Sequence, residues 1–394
     1  APSSVKTATY TFGGAVEPPV VQFNAAAYTT NEGAGAVNIT ITRGGDTATS
    51  ATVDFSTVDD SAEIGCFDTT NNHGAAYARC DYATTIEPLT FAPGETSKSV
   101  SIPLIDDAHV EGAETLHLRL TNNAGAALGA QALATLTILD NDTTARANPI
   151  FQTPFFVRQH YLDFLSREPE ATEPWTRVLT TCSDVNNNPA CDRLTVSAAF
   201  FGSQEFQLKG YFVYRFYKLA FGRLPQYAEV VADMRAVTGQ TAEEVYQKKA
   251  GFVSTFMQRQ EFAGTYNGQA NAAYVTALLS RYQLTQVTTP DPAQPDGATK
   301  VTLSSTELVN RLNAGTLNRG QVLRAIADSD QVFAAEVNQA FVAMQYYGYL
   351  RRTPEAGGYQ NWLNYLTTHP NDARTMVNGF LNSTEYRLRF GGQQ

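Results

Sequence analysis

Two hydrophobic periodicities divide the chain. Between Val21 and Asp142, apolar and polar residues alternate in VNITITR (37–43), ATVDFSTV (51–58), KSVSIPLI (98–105), TLHLRL (115–120) and ALATLTIL (132–139). Period-two alternation is the pattern of strands buried on one face. Turn signals (Gly-Gly, Pro-Gly-Glu, Asn-Asn) separate the segments. About seven short strands in roughly 120 residues predict an immunoglobulin-like β-sandwich over 21–143. Residues 1–20 precede it as an arm whose TATYTF stretch (7–12) alternates like a strand.

After a linker at 144–154 the period changes to about 3.6, which predicts an all-α domain over 155–390. This half repeats internally. Units at about 155–206, 211–262, 270–333 and 340–386 open on a helix with Tyr, an apolar residue four later, then Arg and Pro. The matching sets are Tyr161, Leu165, Arg167, Pro169; Tyr217, Phe221, Arg223, Pro225; and Tyr346, Leu350, Arg352, Pro354. Val157, Val213 and Val342 stand four before each Tyr, so one helical face is buried. The units close on FFGSQEF (200–206), FMQRQEF (256–262), IADSDQV (326–332) and FLNSTEY (380–386). The third unit begins at Tyr274, is degenerate, and carries an insertion at 284–303 that reads as an exposed loop. It also lacks both the opening Arg and the closing Glu, with Ser280 and Gln331 in their places. Joint loss is what a paired charge produces, because one partner alone is costly. Arg167 with Glu205, Arg223 with Glu261, and Arg352 with Glu385 are therefore expected to be structural ion pairs.

With 394 residues and 43% hydrophobic content, the chain is long enough for two or three folded domains. No apolar run approaches a membrane span. The net charge of −10 is uneven: 17 acidic and 5 basic residues lie in 1–145, against 21 and 23 in the remainder. An acidic β domain suits cations, and the near-neutral second half carries no basic stripe for nucleic acid. Cys66 and Cys80 bracket a Gly/Asn-rich stretch, and Cys182 and Cys191 bracket SDVNNNPA. Neither pair has metal-binding spacing, so two local disulfides are expected. They imply an oxidising compartment, and the opening at Ala1 without Met reads as a chain after signal removal or as an edited one.

The acids of the β domain gather at element ends: Glu32, Asp81, Asp106, Asp107, Glu111, Glu114, Asp140 and Asp142. Converged at one pole they would repel one another unless cations neutralised them, and Ca²⁺ takes six to eight hard oxygen ligands. Solvated turn acids are the alternative on spacing alone. Elsewhere no nucleophile elbow, HExxH, P-loop or GxGxxG occurs, and the five histidines form no triad pattern. No enzymatic activity is expected. Asp184, Asn186 and Asn188 mimic the start of an EF-hand loop, but Pro189 replaces its glycine and Thr195 its bidentate acid, so a capped turn fits better. Trp175 and Trp362 read as core.

Residues 21–143 resemble a Calx-beta domain in YTTNEGAGAVNITITR, DDSAEIG followed by DYATT, LTFAPGETSKSVSIPLIDDAHVEGAETLHLRL and ATLTILDND. The resemblance implies calcium as cofactor and places its ligands on the eight acids above. Two departures are the Cys66–Cys80 insertion just before Asp81 and Asn141 in place of an acid. The helical half resembles a bacterial domain of unknown function, 4214, through Y-x-x-x-L-x-R-x-P and F-x-x-S-x-E-[FY]. That family is common in large secreted bacterial proteins and implies no reaction. Together these readings point to a secreted surface or structural protein whose partners are copies of itself. A calcium-dependent adhesin for glycans or surface proteins is the alternative.

Overall fold

The computed structural model describes residues 17–58, 66, 68, 74–78, 80–142, 146–165, 167–203, 206–237, 242–293, 299–370 and 372–392. The alternating segments form strands β1 Val20–Phe23, β2 Ala27–Asn31, β3 Ala36–Gly44, β4 Ala51–Val58, β5 Ile86–Phe91, β6 Ser97–Pro103, β7 Ala113–Ala124, β8 Ala127–Leu128 and β9 Leu133–Leu139. They pack as two sheets, ordered β6-β3-β1-β8 and β2-β9-β7-β4-β5. Every second residue enters the core between them, as with Ile39 and Ile41 facing Val53, Phe55, Leu116 and Leu118. Phe23 and Phe55 meet edge to face across the sheets, centroids 6.0 Å apart. The predicted sandwich is thus observed. Of the expected arm, residues 1–16 lie outside the described residues. Glu17 and Pro19 already bond to their own sandwich, accepting from Asp46 N–H and Ala127 N–H.

The helical half buries the three valines and the opening tyrosines. In two units the opening Tyr starts a π-helical turn, Tyr161–Leu165 and Tyr346–Leu350. These two turns pack on each other. Gly348 is required there, because a Cβ would lie 2.0 Å from the Phe164 ring. Beside them Asp163 accepts from Arg389 at 2.7 and 3.1 Å and from Gln159 at 2.9 Å, with Arg351 at 3.6 Å. All four side chains are buried.

The expected clasps form where both partners are described. Arg223 meets Glu261 at 2.6 Å, and Arg352 meets Glu385 at 2.5 Å. Glu205 lies outside the described residues; Arg167 pairs with Glu170 at 2.6 Å. Each Arg also stacks on its unit's opening tyrosine at 5.0–5.2 Å, and Arg223 and Arg352 each bind a second acid, Glu229 and Glu355. In the third unit Arg319, from a different helix, takes the place over Tyr274 at 5.0 Å.

One expectation is corrected. The 284–303 insertion is not simply an exposed loop, because Gln286–Pro290 and Lys300–Ser304 form an antiparallel hairpin. Val287, Thr289 and Leu303 are buried by it, and Gln331 accepts the Thr288 N–H. The linker at 144–154 is also structured from Arg146 on. Asn148 donates to the carbonyls of Arg387 and Gly391, and Ile150 joins the helical core together with Ala83 and Ile105 from the sandwich.

Candidate metal centre

Strand register assembles the acidic pole. β2 runs parallel to β9 with Asn31 opposite Leu139, so Glu32 and Asp140 leave the sheet side by side. β7 runs antiparallel to β9 with Ala113 opposite Leu139, which brings Glu111 and Glu114 to the same end. The turn after β6 adds Asp106 and Asp107. Asp81 follows the Cys66–Cys80 disulfide, whose Cα atoms are 5.3 Å apart. The insertion has not removed Asp81 from the pole.

Six of the eight acids form two trios, Glu32, Asp106, Asp142 and Asp81, Glu111, Glu114. In each, one oxygen per carboxylate lies within 4.8 Å of the others. The two remaining acids brace the loops. Asp140 accepts from the backbone N–H of Glu111, Gly112 and Asp142 at 2.6–2.9 Å. Asp107 accepts from His109 N–H through Oδ1, while its Oδ2 is buried without a partner among the described residues. Glu32 accepts from Asp107 N–H at 2.7 Å, and Asp81 from Tyr77 N–H at 2.6 Å. Gly33 allows Asn141 to close over the outer trio, since a Cβ there would sit 2.6 Å from Asn141 Nδ2.

Burial and mutual repulsion push six of these carboxyls, Glu32, Asp81, Asp107, Glu111, Glu114 and Asp142, above the usual carboxylate range. Burial, reinforced by Asp106, Asp142 and Asp140, raises Glu32 to about 7. Burial, then Asp81, raises Glu111 to about 9, and burial, then Glu111, raises Glu114 to about 8. Asp81 and Asp107 are pushed well above the carboxylate range, first by burial and then by Glu114 and Glu111 respectively. Burial also raises Asp142, against the pull of Arg146. So many acids driven toward neutrality leave a pole that a divalent cation would reverse. The donors are all oxygen, which suits a hard cation in a flexible shell.

Arg146 was not singled out from the sequence. Its guanidinium reaches the outer trio, 2.9 Å from Asp142 and 3.2 Å from Asp106, and bonds Asn141 Oδ1 and the Asp107 carbonyl. Asn141 donates to Asp106. A basic residue soon after the acidic Asp140–Asp142 end was the available signal. The pole faces the helical half. His109 bonds the Leu388 carbonyl at 2.8 Å, and Arg158 donates to the carbonyls of Leu104 and Gly35, both at 2.8 Å.

The other candidates are structural. Asp184 caps Asn186 and Asn187 N–H in a turn, closed by Cys182–Cys191 with Cα atoms 5.6 Å apart. His117 is exposed on β7. His160 is buried between Phe156 O and Ser197 Oγ, and burial lowers it to about 4. Trp175 and Trp362 pack on the helical core.

A β-sandwich with a carboxylate pole, joined to a helical repeat domain, is the class that fold and site define. Residues 16–142 match the Calx-beta domain model, and residues 331–390 match a domain of unknown function (DUF4214). The chain is 32% identical over 139 residues to sodium/calcium exchanger 1 of Mus musculus, covering 30% of this chain and 13% of the exchanger. It is 31% identical over 127 residues to the sodium/calcium exchanger Calx of Drosophila melanogaster, covering 32% of this chain and 12% of that one. Among solved structures, the apo-form Calx CBD1 domain is 30% identical, with TM-score 0.27, covering 32% of this chain and all of that one. The calcium binding domain CBD12 of CALX1.1 is 31% identical, with TM-score 0.27, covering 31% of this chain and 46% of that one.

Proposed function

We propose that the sandwich binds two Ca²⁺ ions, one at Asp81, Glu111 and Glu114 and one at Glu32, Asp106 and Asp142. The observation that carries this reading is the convergence of six acids from separate segments into two trios. Likeness over 139 residues to sodium/calcium exchanger 1 of Mus musculus supports the choice of ion. Asp107, which feels charge from Glu32 of one trio and from Glu111 and Asp81 of the other, offers a free oxygen to either ion. Neutralising the pole fixes the 106–112 loop, and through His109 it braces the sandwich against the last helical unit.

In this reading the protein is a non-catalytic, secreted surface or structural module that assembles with copies of itself. Two disulfides support an oxidising compartment, and no described helix is long and apolar enough to cross a membrane. An adhesin for glycan or protein ligands is the second reading, favoured by a cavity in the helical half. Thermal melting with and without excess chelator tests the calcium claim. Binding only the folded state stabilises by about 2.7 kcal/mol at a hundredfold excess over Kd, so the sandwich transition is expected to rise by several degrees with calcium. An unchanged melting temperature overturns it.

A further inference from the structure

The helical half contains a cavity of about 1180 Å³ between the helix Ala242–Gln258, the helix Arg319–Ala327 and the hairpin strand Gln286–Pro290. Its walls carry more positive than negative groups. Arg215 and Arg324 share one carboxylate, Asp328, at 2.9 and 3.5 Å. Arg324 also stacks on Tyr246 at 4.6 Å. Lys249 is, with Arg319, one of the two further cations of the lining and is only 8% exposed. Its ammonium lies 4.4 Å from the Phe212 ring and makes no hydrogen bond among the described residues. The lining's other carboxylate, Asp291, accepts from Ala293 N–H in its own turn.

A largely buried lysine whose ammonium meets an aromatic face and no hydrogen-bonded carboxylate is costly. This lysine lines the cavity beside Arg215 and Arg324, which have a single carboxylate, Asp328, between them. An entering anion would satisfy all of these at once. The remaining wall is largely apolar, including Val253 and Met257. We propose that this cavity is a binding site for a small organic anion, whose acidic group meets Lys249 and Arg324 and whose apolar or ring body lies against the apolar wall. The site is separate from the acidic pole and stands whether or not the sandwich binds calcium.

The probe is 8-anilinonaphthalene-1-sulfonate, titrated by fluorescence into the full chain, with the uncharged N-phenyl-1-naphthylamine as its comparison. The sulfonate is expected to bind saturably at one site and more tightly than the uncharged compound. Lys249→Met keeps the apolar stem and removes the charge. It is expected to weaken sulfonate binding by about ten- to a hundredfold, the loss of one charge-assisted contact, and to leave the uncharged compound unaffected. Arg324→Gln is expected to weaken the sulfonate by a similar factor and serves if Lys249→Met does not fold. Absence of saturable binding, equal affinity for the two compounds, or undiminished sulfonate binding by both variants overturns the proposal.

Discussion

Arg146 and a calcium ion compete for the same carboxylates, so Arg146→Gln should tighten calcium binding at one of two sites. The guanidinium is about two-fifths exposed, whereas the Asp142 side chain it meets is fully covered. Exposed ion pairs contribute about 0.2–1 kcal/mol each. Two such contacts, at 2.9 and 3.2 Å, give roughly 0.4–2 kcal/mol. Since about 1.4 kcal/mol is tenfold, affinity at the Glu32, Asp106, Asp142 site should rise by about two- to thirtyfold. The Asp81, Glu111, Glu114 site should change little. Calorimetric calcium titration of both proteins resolves the two steps. Unchanged affinity at both sites, or weaker binding in the variant, would refute the competition.

The metal-free pole makes a pH prediction with a definite sign. Glu32, Glu114 and Glu111 have folded-state values of about 7, 8 and 9, above an unfolded value of 4.5, so the folded chain binds more protons between 4.5 and 9. Stability in chelator should therefore fall as pH rises through that window, and calcium should flatten the fall; denaturant midpoints that climb from pH 5 to 9 in chelator contradict it. Asp163→Asn strands the buried Arg389 and Arg351 and should cost about 3–5 kcal/mol, read by urea unfolding, with a loss under about 1 kcal/mol counting against the buried centre. Arg352→Ala breaks two half-exposed ion pairs and a stack on Tyr346 and should cost about 1–2 kcal/mol; wild-type stability would mean the clasp contributes nothing.

Period-two alternation made the sandwich legible, because one face of each strand must be apolar. The acids of the pole were legible one by one. Their division into two trios was not, since it depends on the parallel pairing of β2 with β9, a long-range register that local pattern does not encode. Arg146 was hidden for the same reason: it lies in a segment without periodicity and acts only once the strands have converged. In the helical half the Tyr-to-Arg spacing exposed the clasps at Glu261 and Glu385. It gave no sign of the π-helical turns, because one extra residue in a turn leaves an i, i+4 stripe nearly intact. The hairpin at 286–304 was obscured because a Pro-rich tip separates two five-residue strands. Their alternation, QVTTP and KVTLS, was present but short.

Direct calcium stoichiometry tests the central claim. The full chain, stripped with chelator and then desalted, is titrated with calcium in a calorimeter, alongside Glu111→Gln and Asp106→Asn. Two ions per chain are predicted for the wild type and one for each variant, with a different step lost in each. No calcium binding by the wild type, or two unchanged steps in both variants, would contradict the assignment of the two trios as calcium sites.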